Sequence, residues 1–193
     1  MNILIDYLPK TVEIDGQIYA INSNFRTSLL FTMLMEDSEL TKEQVFYQAL
    51  ELYYPVIPAN ATKAINKILD FFTCGKNMNG GKVESNKPRR KVLDYEKDSS
   101  YIYSAFMSQY GIDLQDIDYM HWWKFKALLD NLNDDNKLCE IIKYRSTDVN
   151  KIKDKEQKAF YKKMQEIYKL DANNITEEDL QKLEDIKASI LGI

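Results

Sequence analysis

The stretch Asp94–Ser146, DYEKDSSYIYSAFMSQYGIDLQDIDYMHWWKFKALLDNLNDDNKLCEIIKYRS, decides how this chain folds. It holds the only histidine and both tryptophans, and its spacing predicts three short amphipathic helices. In the first, Ile102, Phe106 and Tyr110 fall at i, i+4 and i+8, with Tyr103 and Met107 widening the stripe. Gly111 stops that helix, because glycine takes the left-handed conformation at little cost. In the second, Trp122, Phe125, Leu129 and Leu132 repeat at helical spacing, with Leu128 beside them. Asn133-Asp134 punctuates, and Leu138, Ile141, Ile142 and Arg145 form the face of the third. Each buried Phe, Tyr or Trp removes roughly 150–250 Å² from water, so these helices are enough to seed a core.

Working back toward the N-terminus, TVEIDGQIYAI is the clearest β signal. Val12 and Ile14 alternate with polar partners, Asp15-Gly16 suits a type I′ turn, and Ile18 and Ala20 continue beyond it, with Tyr19 and Ile21 on the opposite face. An isolated hairpin is marginal in water, so it should pack on helices or pair with another chain. Asn22-Ser23-Asn24 offers caps for a helix carrying Phe25, Leu29 and Met33, with Leu30 and Leu34 beside them. Thr41 and Gln44 have the form of a capping box and open a second helix along Val45, Phe46, Ala49 and Tyr53. Tyr54-Pro55 ends it, and a third helix follows with Ala61, Ala64, Ile65, Ile68, Leu69 and Phe72 on one face.

From Cys74 to Lys91 the character changes to Gly, Asn, Lys and Pro with little to bury, the composition of a flexible basic loop. Arg89 and Arg90 lie in its most basic part, which is either plain solvated linker or a contact for an acidic partner. After Ser146, Lys155–Leu170 reads as a helix with Phe160, Tyr161, Met164, Ile167 and Tyr168 on one side. Thr176-Glu177-Glu178-Asp179 opens a last one along Leu180, Leu183, Ile186 and Ile190. The expected fold is mainly α: an N-terminal β-hairpin packed on a multi-helix bundle, with one flexible basic loop in the middle. The expected organisation is residues 1–74 (hairpin and three helices), 75–93 (linker or long loop) and 94–193 (helical part with the aromatic core), or one domain overall.

Composition narrows the function. A chain of 193 residues with 45% hydrophobic residues buries a sizeable core. A formal charge of −4 argues against general nucleic-acid binding, which relies on a basic field. Cys74 and Cys139 stand in no metal-ligand or redox spacing and read as reduced thiols. No run approaches the ~20 apolar residues of a membrane span, and MNILIDYLPK has no signal-peptide pattern. A soluble protein made inside a cell is expected.

The run Asp98…Ile102-Tyr103…Phe106…Gln109-Tyr110-Gly111-Ile112-Asp113-Leu114, then His121-Trp122-Trp123-Lys124-Phe125-Lys126-Ala127-Leu128-Leu129 and Tyr144-Arg145-Ser146, resembles the bacteriophage gene-product-fifteen family of phages and prophages of Gram-positive hosts. Leu8-Pro9…Val12-Glu13-Ile14-Asp15-Gly16…Ile21-Asn22…Phe25-Arg26 and Lys155-Glu156-Gln157…Tyr161…Ile167-Tyr168-Lys169-Leu170 extend the resemblance over most of the chain. The resemblance implies a gene of the tail-morphogenesis cluster and a tail assembly chaperone or accessory factor in the host bacterial cytoplasm. Its expected partners are the tape-measure protein, the tail-tube protein or both, with self-association a further option. The alternative is a structural minor tail protein retained in the virion.

The residues fit a binding protein better than an enzyme. His121 has no nucleophile and orienting partner at a catalytic spacing, and no Gly-x-Ser-x-Gly, His-Glu-x-x-His or Walker A segment is present. Its expected place is against the core with one nitrogen hydrogen-bonded, and its second reading is partner contact. Adjacent helical residues point about 100° apart, so Trp122 faces inward and Trp123 sideways. Trp123 then either seals the hairpin or the preceding helix, or stays exposed as an aromatic of the kind enriched at binding hot spots. Asp113, Asp116 and Asp118 lack the glycine and terminal glutamate of a calcium loop and read as caps and solvated connection. The candidate partner-binding residues are therefore Trp123, His121, Lys124, Arg89 and Arg90, with no catalytic group, cofactor or metal expected.

Overall fold

Asp15 and Gly16 take φ of 51° and 77°, the two positive angles of a type I′ turn. They join β1 (Thr11–Ile14) to β2 (Gln17–Ala20) in an antiparallel hairpin. The two-residue turn sets Ile14 opposite Gln17 and Val12 opposite Tyr19. Cross-strand partners share a face, so Tyr19, not Ile18, lies on the side of Val12 and Ile14. Ile14 and Ile21 are buried and Tyr19 half-buried, whereas Ile18 and Ala20 face solvent. The expectation that Ile18 and Ala20 continue the inner face is corrected by the parity of the turn.

The computed structural model describes residues 2–75 and 91–170. The basic loop with Arg89 and Arg90 and the helix expected from Thr176 lie outside the described residues. Besides the hairpin there are seven helices among the described residues: α1 (Phe25–Glu36), α2 (Lys42–Tyr53), α3 (Ala61–Phe72), α4 (Ser99–Tyr110), α5 (Trp122–Asp130), α6 (Lys137–Ser146) and α7 (Lys155–Ile167). The expected mainly α class with an N-terminal hairpin is the observed one. The chain divides into two units, and the described residues of the first are 2–75 and 119–126, those of the second 91–118 and 127–170. The division falls within α5.

In the first unit the caps are those the sequence signals. Asn24 accepts from the Arg26 amide (3.0 Å) and Asn60 from Lys63 (3.1 Å), and Thr41 and Gln44 exchange both bonds of a capping box. The buried side of α1 differs from the expected one. It is Phe25, Ser28, Phe31 and Thr32, while Leu30 and Met33 are exposed. The hydroxyls bury at low cost because each has a partner: Ser28 Oγ meets the Tyr53 hydroxyl at 2.9 Å, and Thr32 Oγ1 donates to the Ser28 carbonyl at 2.9 Å. Phe31 then fits edge-on against both Tyr53 and Phe72, a contact that the aliphatic periodicity of Leu29 and Met33 does not reveal.

In the second unit Ile102, Ala105 and Phe106 of α4 and Leu138 and Ile141 of α6 are buried. Met107, expected to widen the α4 stripe, is exposed, and Ala105 takes its place. Gly111 ends α4 at φ 62° with nothing near its missing side chain, so conformation alone selects glycine there. Arg145, a charge on the apolar face of α6, is explained by Asp98. The guanidinium donates to the two carboxylate oxygens at 2.5 and 2.9 Å, and also to the carbonyls of Tyr168 (2.6 Å) and Val92 (3.1 Å). Both residues are buried, so removing either partner costs about 3–5 kcal/mol through the charge left behind. Lys91, last of the basic run, is not solvated: its ammonium pairs with Asp94 at 2.9 Å and its side chain is largely covered.

Candidate interaction site

The segment Tyr119–His121 enters the first unit as extended chain. The Phe25 amide donates to the Met120 carbonyl (2.8 Å) and the Trp122 amide to the Ser23 carbonyl (2.9 Å), which sets His121 opposite Asn24 in an isolated antiparallel bridge. Tyr119 closes the same edge, its hydroxyl 2.8 Å from Ser23 Oγ. Because His121 leads directly into α5, this short pairing fixes where the first turn of that helix begins.

From there the two indoles reach the same place. Trp122 Nε1 donates to the Phe72 carbonyl (2.8 Å) and Trp123 Nε1 to the Phe71 carbonyl (2.7 Å). A helix ends with four carbonyls lacking intrahelical donors, and two of those of α3 are satisfied by the adjacent tryptophans. Of the other two, Leu69 O accepts from Thr73 N (2.9 Å) and Asp70 O from Gly75 N (2.8 Å), the latter in a Schellman turn whose second bond, Cys74 N to Phe71 O (3.0 Å), gives Phe71 a further donor. Cys74 takes the left-handed φ of 57° at the position where glycine is usual, and Gly75 follows at 68°. A Cβ at Gly75 would lie in van der Waals contact with Trp123, 3.4 Å from its ring. Trp122 stacks on Phe72 and Phe125, and Phe125 on Phe25.

His121 sits under this arrangement, 4% exposed. Nδ1 accepts from the Trp123 amide (3.1 Å), and Nε2 lies 2.9 Å from the Pro9 carbonyl, which only accepts. One neutral tautomer, with the proton on Nε2, satisfies both bonds. Burial pushes the His121 pKa below its ordinary value, Lys10 adds to the effect, and the Pro9 bond opposes it. The ring also meets Phe71 and Trp123 edge-on.

Of the expected partner-binding residues, the structure brings His121, Trp123 and Lys124 together. His121 is buried with both nitrogens engaged, Trp123 is half-buried against the end of α3, and Lys124 is exposed. Trp123 thus seals neither the hairpin nor the preceding helix but the C-terminal end of α3, about fifty residues away in sequence. Asp113 serves as a local cap, accepting from the Gln115 amide (2.8 Å) and the Tyr103 hydroxyl (3.0 Å).

A feature that the sequence reading missed adjoins this site. Beyond the carbonyl of Pro9, residues 2–6 close into a single turn. The amides of Ile5 and Asp6 donate to the Asn2 carbonyl (3.0 and 2.8 Å), Leu4 N to Asn2 Oδ1 (3.0 Å) and Asn2 N to Asp6 Oδ2 (2.7 Å). The turn holds apolar side chains in solvent: Leu4 is 90% and Tyr7 100% exposed, with Ile5 also uncovered. In MNILIDYLPK the signal is apolar residues without a helical or strand period, next to a proline.

A model of the family described as "Bacteriophage Gp15 protein" matches residues 4–170. The chain belongs to that family. The match takes in the exposed turn from Leu4 onward, the aromatic segment and all of α7. Membership makes this a bacteriophage protein and points to a structural or morphogenetic role. No curated protein and no solved structure matches the chain significantly. No helix among the described residues is long and apolar enough to cross a membrane.

Proposed function

We propose that the protein is a tail assembly chaperone or accessory factor. It binds the tape-measure protein, tail-tube subunits or both in the host cytoplasm during tail morphogenesis, and it acts by binding, not catalysis. Family membership supports the setting. The observation that carries the reading is the turn at Ile3–Tyr7, which keeps its apolar side chains in solvent while its own backbone is hydrogen-bonded. Apolar surface ordered in water costs free energy that a partner recovers on covering it, at about 25 cal/mol per Å². A long helical protein whose apolar seams need shielding before a tube encloses it is such a partner.

The chain beyond the turn is held by the bond between the Pro9 carbonyl and His121, and Trp123 and Lys124 follow His121 in the sequence. Replacing Leu4 and Tyr7 by Ser removes the two most exposed side chains of this surface without touching the core. Capture of tail proteins from infected cells by the tagged chain is expected to fall about tenfold, with unfolding free energy changed by no more than about 0.5 kcal/mol. Undiminished capture by the double variant would refute the role of the turn.

A further inference from the structure

The second unit carries a different surface. α7 has no buried residue over its whole length. Its apolar side gathers on Tyr144 of α6, whose ring lies 5.9 Å from Phe160, 5.8 Å from Tyr161 and 6.0 Å from Tyr168. Gln165 ties the helix down by donating to the carbonyls of Tyr144 (2.8 Å) and Thr147 (2.7 Å). These contacts use one shoulder of the helix. Phe160 also begins a second stripe with Met164 and Ile167 at i, i+4 and i+7, of which Phe160 is 48% and Ile167 58% exposed.

The neighbourhood of this stripe is locally basic. Between Lys143 and Lys169 there are nine Lys and Arg against four Asp and Glu, in a chain whose net charge is −4. Lys151, Lys155, Lys162, Lys163 and Lys169 are exposed, and none of them is in an ion pair among the described residues. A stripe read at i, i+4, i+7 matches the anchors of a helix laid across it, and uncompensated lysines select for acidic flanks.

We propose that the Phe160–Met164–Ile167 face of α7 docks an acidic amphipathic helix of a partner protein. Single-stranded nucleic acid is the competing ligand for lysines near aromatics, but it uses flat rings as stacking platforms. Here two of the three stripe residues are the flexible or branched Met164 and Ile167, which suit apolar side chains. The surface is separate from the N-terminal turn, and its test does not depend on what that turn binds.

The test uses the full chain and a fluorescein-labelled synthetic peptide of about 18 residues, with Leu at i, i+4, i+7 and i+11 and Glu on its outer face. Fluorescence anisotropy compares it with a scrambled peptide of equal composition and with a single-stranded DNA oligonucleotide. The amphipathic peptide is expected to bind at least about tenfold more tightly than the scrambled one. Phe160→Ser with Ile167→Ser should weaken it about tenfold. Lys162→Glu with Lys163→Glu, which touches only solvated side chains, should weaken it several-fold and flatten its salt dependence. Equal binding of the scrambled peptide, tighter binding of the DNA, or indifference to the lysine variant overturns the proposal. So does sedimentation showing that the chain self-associates through this face, with loss of association in the Phe160 and Ile167 variant.

Discussion

His121 is held by two hydrogen bonds, and only its neutral form can make both. Protonation would place an N–H on Nδ1 against the Trp123 amide, replacing an acceptor with a second donor. Its folded pKa lies below the unfolded value of 6.5, so the sign is fixed. The contribution to stability is fully present above 6.5 and is lost as pH falls from there to the folded pKa. One proton changes stability by at most about 1.4 kcal/mol per pH unit. Urea midpoints measured between pH 7.5 and 5 should fall for the natural chain and fall less for His121→Gln, which offers a donor and acceptor without titrating there. Equal slopes would show that His121 is not what the acid side senses. The carboxylates of Asp94 and Asp113 are shifted downward and titrate in a lower range, so this window belongs to the histidine.

At the scale of elements, the end of α3 is where the two tryptophans act, and they are not equivalent. Trp123→Phe keeps the ring and removes one donor from the Phe71 carbonyl, which retains the Cys74 amide, at a cost of about 1 kcal/mol. Trp122→Phe leaves the Phe72 carbonyl with only the distant Cys74 thiol and opens space in a stacked core, about 2–4 kcal/mol. Chemical denaturation of the two variants should preserve that order, and a reversal would mean the indole donors are not what closes the helix. The helices themselves were legible because caps and periods are local signals: Thr41 with Gln44, Gly111 and Asp15-Gly16 each perform as their residue types dictate. What escaped was non-local. The α1 face turned by one register because Ser28 and Thr32 find hydroxyl and carbonyl partners, and Arg145 acquired its meaning only from Asp98 forty-seven residues earlier. Trp123 is lateral, as its place beside Trp122 dictates, but nothing along the chain points to the end of α3 as its seat. The N-terminal turn escaped because a single turn has too few residues to show a period.

At the scale of the whole molecule, buried aromatic residues contribute to stability, and among the described residues two exposed apolar surfaces stand out as places for partners. One is the turn at Ile3–Tyr7 of the first unit, the other the α7 stripe of the second. A protein that presents ordered apolar side chains to water in this way is suited to transient partners that must later let go. A part retained in the finished particle would instead keep such surfaces permanently covered. The two roles therefore differ in where the chain is found, not in which residues it uses.

The most direct measurement is mass spectrometry of proteins isolated with the tagged chain at mid-assembly, run beside purified finished particles. The tape-measure or tail-tube protein should be isolated with the chain, and finished particles should lack it. Finding the chain at fixed copy number in those particles would contradict the chaperone role and make it a structural part of the tail.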